Sequence, residues 1–269
     1  MAEYTRYQEI FLWEKEAPLS TAAETKSSGH FMPGNDGIER LTDVDRPSIT
    51  FYPVSGKGPH PAVLVAPGGG YQFLAWNHEG CDIAGFFNAI GFSAFVLKYR
   101  VPDCRKMAHA DAVRALRLIR AEAAEFNVDP ARLGMLGFSA GAHLTATAAA
   151  SVDAQPYAPQ DEIDRFCGKP DFTALIYPAY LTENPLALKD EFKIDNSTPP
   201  AFLLQAENDP IQVENALAYF YAMKQAGRPA ELHCYADGGH GYGLLRTGNA
   251  VSGWGNLAAR WFREMAHLQ

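Results

Sequence analysis

"RLGMLGFSAGAHL", residues 132–144, is the stretch whose reading decides the fold. Leu133, Met135 and Leu136 read as a buried strand, while Ala140, Ala142, Leu144, Ala146 and Ala148 read as a helix of small residues. Gly137-Phe138-Ser139-Ala140-Gly141 stands at the junction as Gly-x-Ser-x-Gly. Chance would supply about 0.1 such matches in a chain of this length, so the context carries the weight. A strand that turns sharply into a helix strains the backbone of the serine between them and exposes its hydroxyl, and a side chain at either glycine would collide across the turn. Ser139 is therefore the candidate nucleophile.

Working outward, apolar runs and helical patterns alternate from Pro61 onward. "PAVLVAPGGG", "GFSAFVLKYR", "TALIYPAY", "AFLLQAEND" and "ELHCYADGGH" join the central stretch as strand candidates. "DAVRALRLIRAEAAEF", 111–126, repeats its apolar residues at Ala112, Leu116, Ile119, Ala123 and Phe126, with Arg114, Arg117 and Glu125 off the stripe. The last helix, from Trp254, shows the same period. This alternation predicts an α/β chain with a mostly parallel central sheet and helices on both faces. "SITFYPV", 48–54, reads as an antiparallel edge strand leading into it. One domain over 1–269 is expected, with an irregular segment at 1–47 and, at 151–170, a cap over the site or a plain surface excursion.

The chemistry needs more than a serine. A hydroxyl becomes nucleophilic only when a base takes its proton, and the base is oriented by a carboxylate. His240, in the loop "DGGHGYG" after the last strand candidate, is the candidate base. His143 lies one helical turn beyond Ser139 and reads as a buried helix residue. Asp209, in the turn after "AFLLQA", is the candidate acid; Glu207 is its alternative, and Asp237 is too close to His240 to orient it. The order Ser139, Asp209, His240 is the one this pattern uses. Negative charge on the attacked carbonyl oxygen calls for preorganised N–H donors. "PGGGY", 67–71, follows a strand and offers the N–H of Gly69 or Gly70, to act with that of Ala140. Tyr71, Phe73 and Trp76 follow this loop, either as a face for a sugar ring or as packing.

These motifs resemble the α/β-hydrolase superfamily, and within it the carbohydrate acetyl esterases of the acetylxylan and bifunctional acetyl/feruloyl type. "PGGGY", "HEG" at 78–80, "FVLKYR" at 95–100, "NVDPARLGMLGFSAGAHL" and "HGYG" carry the resemblance from about Arg46 to the end. It implies a serine esterase that removes acetyl groups from a saccharide, with no metal or organic cofactor. The chain departs from the commoner Asp-Asp-Pro turn by having Asn208 before Asp209. An amidase or peptidase with the same three residues, or a catalytically silent binding protein, are the alternative readings.

The partner that the resemblance implies is a small-molecule or oligosaccharide ester, and composition excludes another class of partner. Lys plus Arg number 23 against 31 Asp plus Glu, a net charge of -8, and no basic run follows a phosphate backbone, which argues against nucleic acid. The first residues, "MAEYTRYQEIFLWEKEAP", have neither a signal h-region nor a membrane span. As written the chain is expected to be cytoplasmic, or periplasmic or secreted if a leader once preceded it. Homo-oligomers remain open, and the four scattered cysteines read as reduced thiols.

Overall fold

The apolar runs assemble into a single twisted layer of eight strands. They are β1 (Gln8–Phe11), β2 (Ser48–Tyr52), β3 (His60–Ala66), β4 (Ser93–Lys98), β5 (Val128–Phe138), β6 (Phe172–Ile176), β7 (Ala201–Ala206) and β8 (Ala230–Tyr235), in the spatial order β1-β2-β4-β3-β5-β6-β7-β8. This is a computed structural model describing residues 8–20, 27–184 and 186–268. From β4 to β8 every neighbouring pair is parallel, whereas β2 runs antiparallel to both β1 and β4. The order and the mostly parallel sheet are those of the α/β-hydrolase fold.

Helices cover both faces, and the strands show why. Along β3, Val63 and Val65 belong to one buried cluster with Ile83 and Phe87 of α1 (Asp82–Ala89) and with Trp254 and Trp261 of α5 (Trp254–Met265). Ala62 and Leu64, alternating with them, belong to the cluster on the other face with Leu116 and Ile119 of α2 (Arg105–Ala121) and Leu144 of α3 (Ala140–Ala150). α4 (Glu214–Gln225) completes the second face through Ala216, Tyr219 and Met223 against Leu175 and Leu203. The chain leaves β3 for β4 on one side and reaches β5 on the other. The carboxyl ends of β3 and β5 thus flank a switch point, where open α/β sheets place their ligands.

The structure corrects the sequence reading in four places. β2 is not at the edge, because β1 pairs outside it, with Arg46 stacked 4.0 Å over the Phe11 ring. The first 47 residues contain, besides β1, the strands Ser28–Met32 and Arg40–Val44, which pair antiparallel; residues 1–7 and 21–26 of that segment lie outside the described residues. α2 runs Arg105–Ala121 where the stripe reads over 111–126, so it starts earlier and ends before Ala123 and Phe126, which lie in the turn after it. Finally, Arg114 and Arg117 are buried although they lie off the stripe. The 151–170 excursion covers them: Arg114 binds Asp161 and Asp164, Arg117 binds the Tyr157 hydroxyl at 2.8 Å, and Arg120 donates to the Cys167 carbonyl. These bonds lay the excursion along α2 as a strap.

The other end of α2 is tied to the end of β4 by a fully buried pair. Asp111 accepts from the Arg100 guanidinium at 2.8 Å and from its backbone N–H at 3.0 Å. Next to it, the Tyr99 hydroxyl donates to the Pro67 carbonyl at 2.7 Å, fixing the start of the "PGGGY" loop. Asp111→Ala would leave the guanidinium buried without its charge partner, and a loss of about 3–5 kcal/mol of unfolding free energy in urea titration is expected.

Candidate active site

Ser139 stands between the end of β5 and the start of α3 at φ 51° and ψ −115°, a positive-φ conformation that side-chain-bearing residues rarely adopt. Its own N–H donates to the Ile176 carbonyl of β6 at 3.0 Å. The two glycines are required by contact. A Cβ at Gly137 would lie 2.0 Å from the Gly141 carbonyl oxygen, and one at Gly141 would lie 2.0 Å from that of Ala66. Strain held this tightly concentrates at functional sites.

The structure brings the three candidate residues together. The Ser139 hydroxyl donates to His240 Nε2 at 2.9 Å, and His240 Nδ1–H donates to Asp209 Oδ2, also at 2.9 Å. The Asp209 side chain is fully buried and is held from below by the Ile211 N–H at 2.7 Å and by Gln205 Nε2 at 3.2 Å. A hydroxyl on an imidazole that rests on a buried carboxylate can pass its proton to the ring as the oxygen attacks.

Asn208 has a use that an aspartate could not fill. Its carbonyl accepts from the N–H groups of Gly238 and Gly239 at 3.1 and 2.8 Å, while its amide donates to Asp237 at 2.7 Å. It thereby holds the loop carrying His240, and a carboxylate there would face Asp237 without a proton between them. The alternatives lie elsewhere. Glu207 is exposed, and His143 is buried in α3 with Nδ1 2.8 Å from the Tyr71 hydroxyl. Burial pushes the His143 imidazole below its usual range, and its Nε2 is turned towards Glu191 at 3.5 Å.

Across from His240 runs the loop after β3. Gly69 and Gly70 both have positive φ, and a Cβ on Gly69 would meet the Phe73 carbonyl at 2.1 Å. The Gly69 carbonyl is turned into the loop, where it accepts from the Gln72 and Phe73 N–H groups, and among the described residues no backbone carbonyl takes up the Gly69 or Gly70 N–H. Ala140 opens α3, so its N–H has no acceptor within the helix.

The aromatic residues after this loop divide. Tyr71 is 2% exposed, with its ring against Tyr99, His143 and Tyr180, so it is a prop inside the protein and offers no open face to a sugar. Burial pushes its hydroxyl far above the ordinary tyrosine value. Phe73 and Trp76 are half-buried, Phe73 under the Arg40 guanidinium and Trp76 packed against both faces of the core. Two residues the sequence reading missed border the site. Tyr180 brings its hydroxyl to 3.7 Å from where a Gly70 Cβ would stand, and the exposed Arg105 lies 4.3 Å above the Tyr180 ring. Tyr180, like Tyr71, Tyr177 and Ser139, has a positive φ.

Comparison with known proteins bears on the fold and the family. An acetyl ester-xyloside bifunctional hydrolase from Caldicellulosiruptor lactoaceticus superposes with a TM-score of 0.78, at 30% identity over 98% of both chains. This chain belongs to the acetyl esterases of the α/β-hydrolase fold. The BD-FAE family model matches residues 50–173, from β2 to β6, a span that includes both the "PGGGY" loop and Ser139. An acetylxylan esterase from Xylanibacter ruminicola is 29% identical over 222 residues, 73% of this chain and 43% of that protein. The chain thus spans less than half the length of that curated relative. A thermophilic esterase from Thermogutta terrifontis, 23% identical with a TM-score of 0.72 over 87% of this chain and 94% of its own, shares the fold.

Proposed function

We propose that the chain is a serine carboxylesterase that removes acetyl groups from saccharides such as acetylated xylan oligosaccharides. The observation that carries the reading is the continuous relay from Ser139 through His240 to the buried Asp209, at two successive distances of 2.9 Å. Similarity to the Xylanibacter acetylxylan esterase and the Caldicellulosiruptor acetyl ester-xyloside hydrolase favours an acetylated sugar as the substrate.

In this reading Ser139 Oγ attacks the ester carbonyl as its proton moves to His240 Nε2, and Asp209 stabilises the imidazolium that forms. The carbonyl oxygen, now negative, is received by the Ala140 N–H together with that of Gly69 or Gly70. Loss of one such donor typically costs about 100- to 1,000-fold in rate. His240 then returns the proton to the departing sugar hydroxyl. Water, activated by the same imidazole, adds to the acetyl-serine, and acetate leaves with Ser139 restored.

The test is acetate release from acetylated xylo-oligosaccharides, run beside p-nitrophenyl acetate. Turnover of both is expected. Turnover of neither, with hydrolysis of anilides or peptides instead, would replace the ester reading by an amidase.

A further inference from the structure

The "HEG" motif is absorbed by neither the relay nor the oxyanion loop, yet it lies between them. Asn77–Cys81 forms one π-helical turn, a rare geometry that recurs at functional sites, and it buries His78 and Glu79 to 5% and 4% exposure. One Glu79 oxygen accepts from the Gly68 N–H at 2.7 Å, at the start of the oxyanion loop. The other accepts from the Tyr177 hydroxyl, also at 2.7 Å. That hydroxyl oxygen in turn accepts from the Gly243 N–H at 3.1 Å, on the far side of the His240 loop, and the Tyr177 ring packs edge-on against His240 with centroids 4.9 Å apart. His78 adds a second tie to the same loop by donating from Nε2 to the Gly241 carbonyl at 2.8 Å.

The packing leaves the turn no slack. A Cβ at Gly68 would stand 2.7 Å from the Glu79 carboxylate and 3.0 Å from the Ser139 Cβ, and one at Gly243 would stand 2.6 Å from the His78 ring. We propose that Glu79 is a positioning residue whose single carboxylate sets the oxyanion loop and the His240 loop at a fixed distance from Ser139. This rests on the serine-esterase reading above.

A carboxylate suits the position because both of its oxygens accept, and both of its partners here are donors. Glutamine would turn an NH2 group towards either the Gly68 N–H or the Tyr177 O–H. Burial pushes the Glu79 carboxyl up, and the two donated hydrogen bonds oppose that shift by favouring its charged form. Such a group is costly to bury and is kept where it organises its surroundings.

Glu79→Gln and Tyr177→Phe, singly and together, test this with p-nitrophenyl acetate and with phenylboronic acid, whose tetrahedral serine adduct uses the same N–H donors. Active sites are counted by organophosphate labelling, with Ser139→Ala as the blank. Each single variant is expected to lose about 100-fold in kcat, the scale of a small displacement of catalytic groups, with KM little changed. Boronate affinity should fall in parallel. The double variant should be no worse than the poorer single one, because both remove one connected unit. Unchanged kcat and boronate affinity per active site in Glu79→Gln would overturn the proposal, as would losses that simply multiply. If Glu79→Gln fails to fold, Tyr177→Phe decides, since it keeps the ring and removes only the hydroxyl; wild-type kcat there overturns the proposal. Activity that survives in Ser139→Ala would instead sink the serine reading beneath it.

Discussion

Ser139→Ala is expected to lower kcat on p-nitrophenyl acetate by about 10⁶-fold, the scale found when the nucleophile of a serine hydrolase is removed. The fold should survive. Alanine meets no more strain at φ 51° than serine does, and the N–H bond to Ile176 is made by the backbone. The substitution removes the attacking oxygen while leaving His240, Asp209 and the N–H donors in place. Substrate should therefore bind and go unconverted. Initial rates with a colorimetric leaving group check this, with circular dichroism to show the fold intact; a loss under tenfold would mean that Ser139 is not the nucleophile.

Asp209→Asn is expected to cost about 10⁴-fold in kcat with little change in KM, for a reason of proton placement. The carbonyl of the introduced asparagine could keep the Ile211 N–H now bound by Oδ1, so the turn after β7 should hold its shape. The amide NH2 would then face His240 Nδ1, which can accept it only in the tautomer that carries its proton on Nε2. In that tautomer the ring donates to Ser139 and cannot take its proton. Retention of kcat within a few-fold would remove Asp209 from the relay.

Much of this site could be read in the letters because its parts are local. A strand, a tight turn and a small-residue helix write Gly137 to Gly141 into adjacent positions, and the Asp209 and His240 turns each follow a recognisable apolar strand. The strands from β3 to β7 were legible for the same reason: being covered on both faces, they read as continuous apolar runs.

What escaped the reading depends on partners far along the chain. β1 has four residues, none of them fully buried, and it exists because β2 and Arg46 meet it. Arg114 and Arg117 look like a solvated helix face until the strap at Asp161 and Asp164 covers them. Tyr71 sits beside a glycine turn like a surface aromatic, but its ring closes on residues from the end of β4, from α3 and from the loop after β6. Glu79 is the sharpest case. It stands in a polar stretch, "WNHEG", and only the folded sheet puts Gly68 and Tyr177 on its two oxygens.

Labelling with diethyl p-nitrophenyl phosphate, followed by peptide mass mapping, tests the central claim most directly, because the reagent reports an activated serine without reference to any sugar. One phosphoryl group per chain is predicted, on Ser139, with acetate release abolished in step and labelling suppressed in His240→Ala. Modification at another residue, or undiminished acetate release by fully labelled protein, would contradict the account.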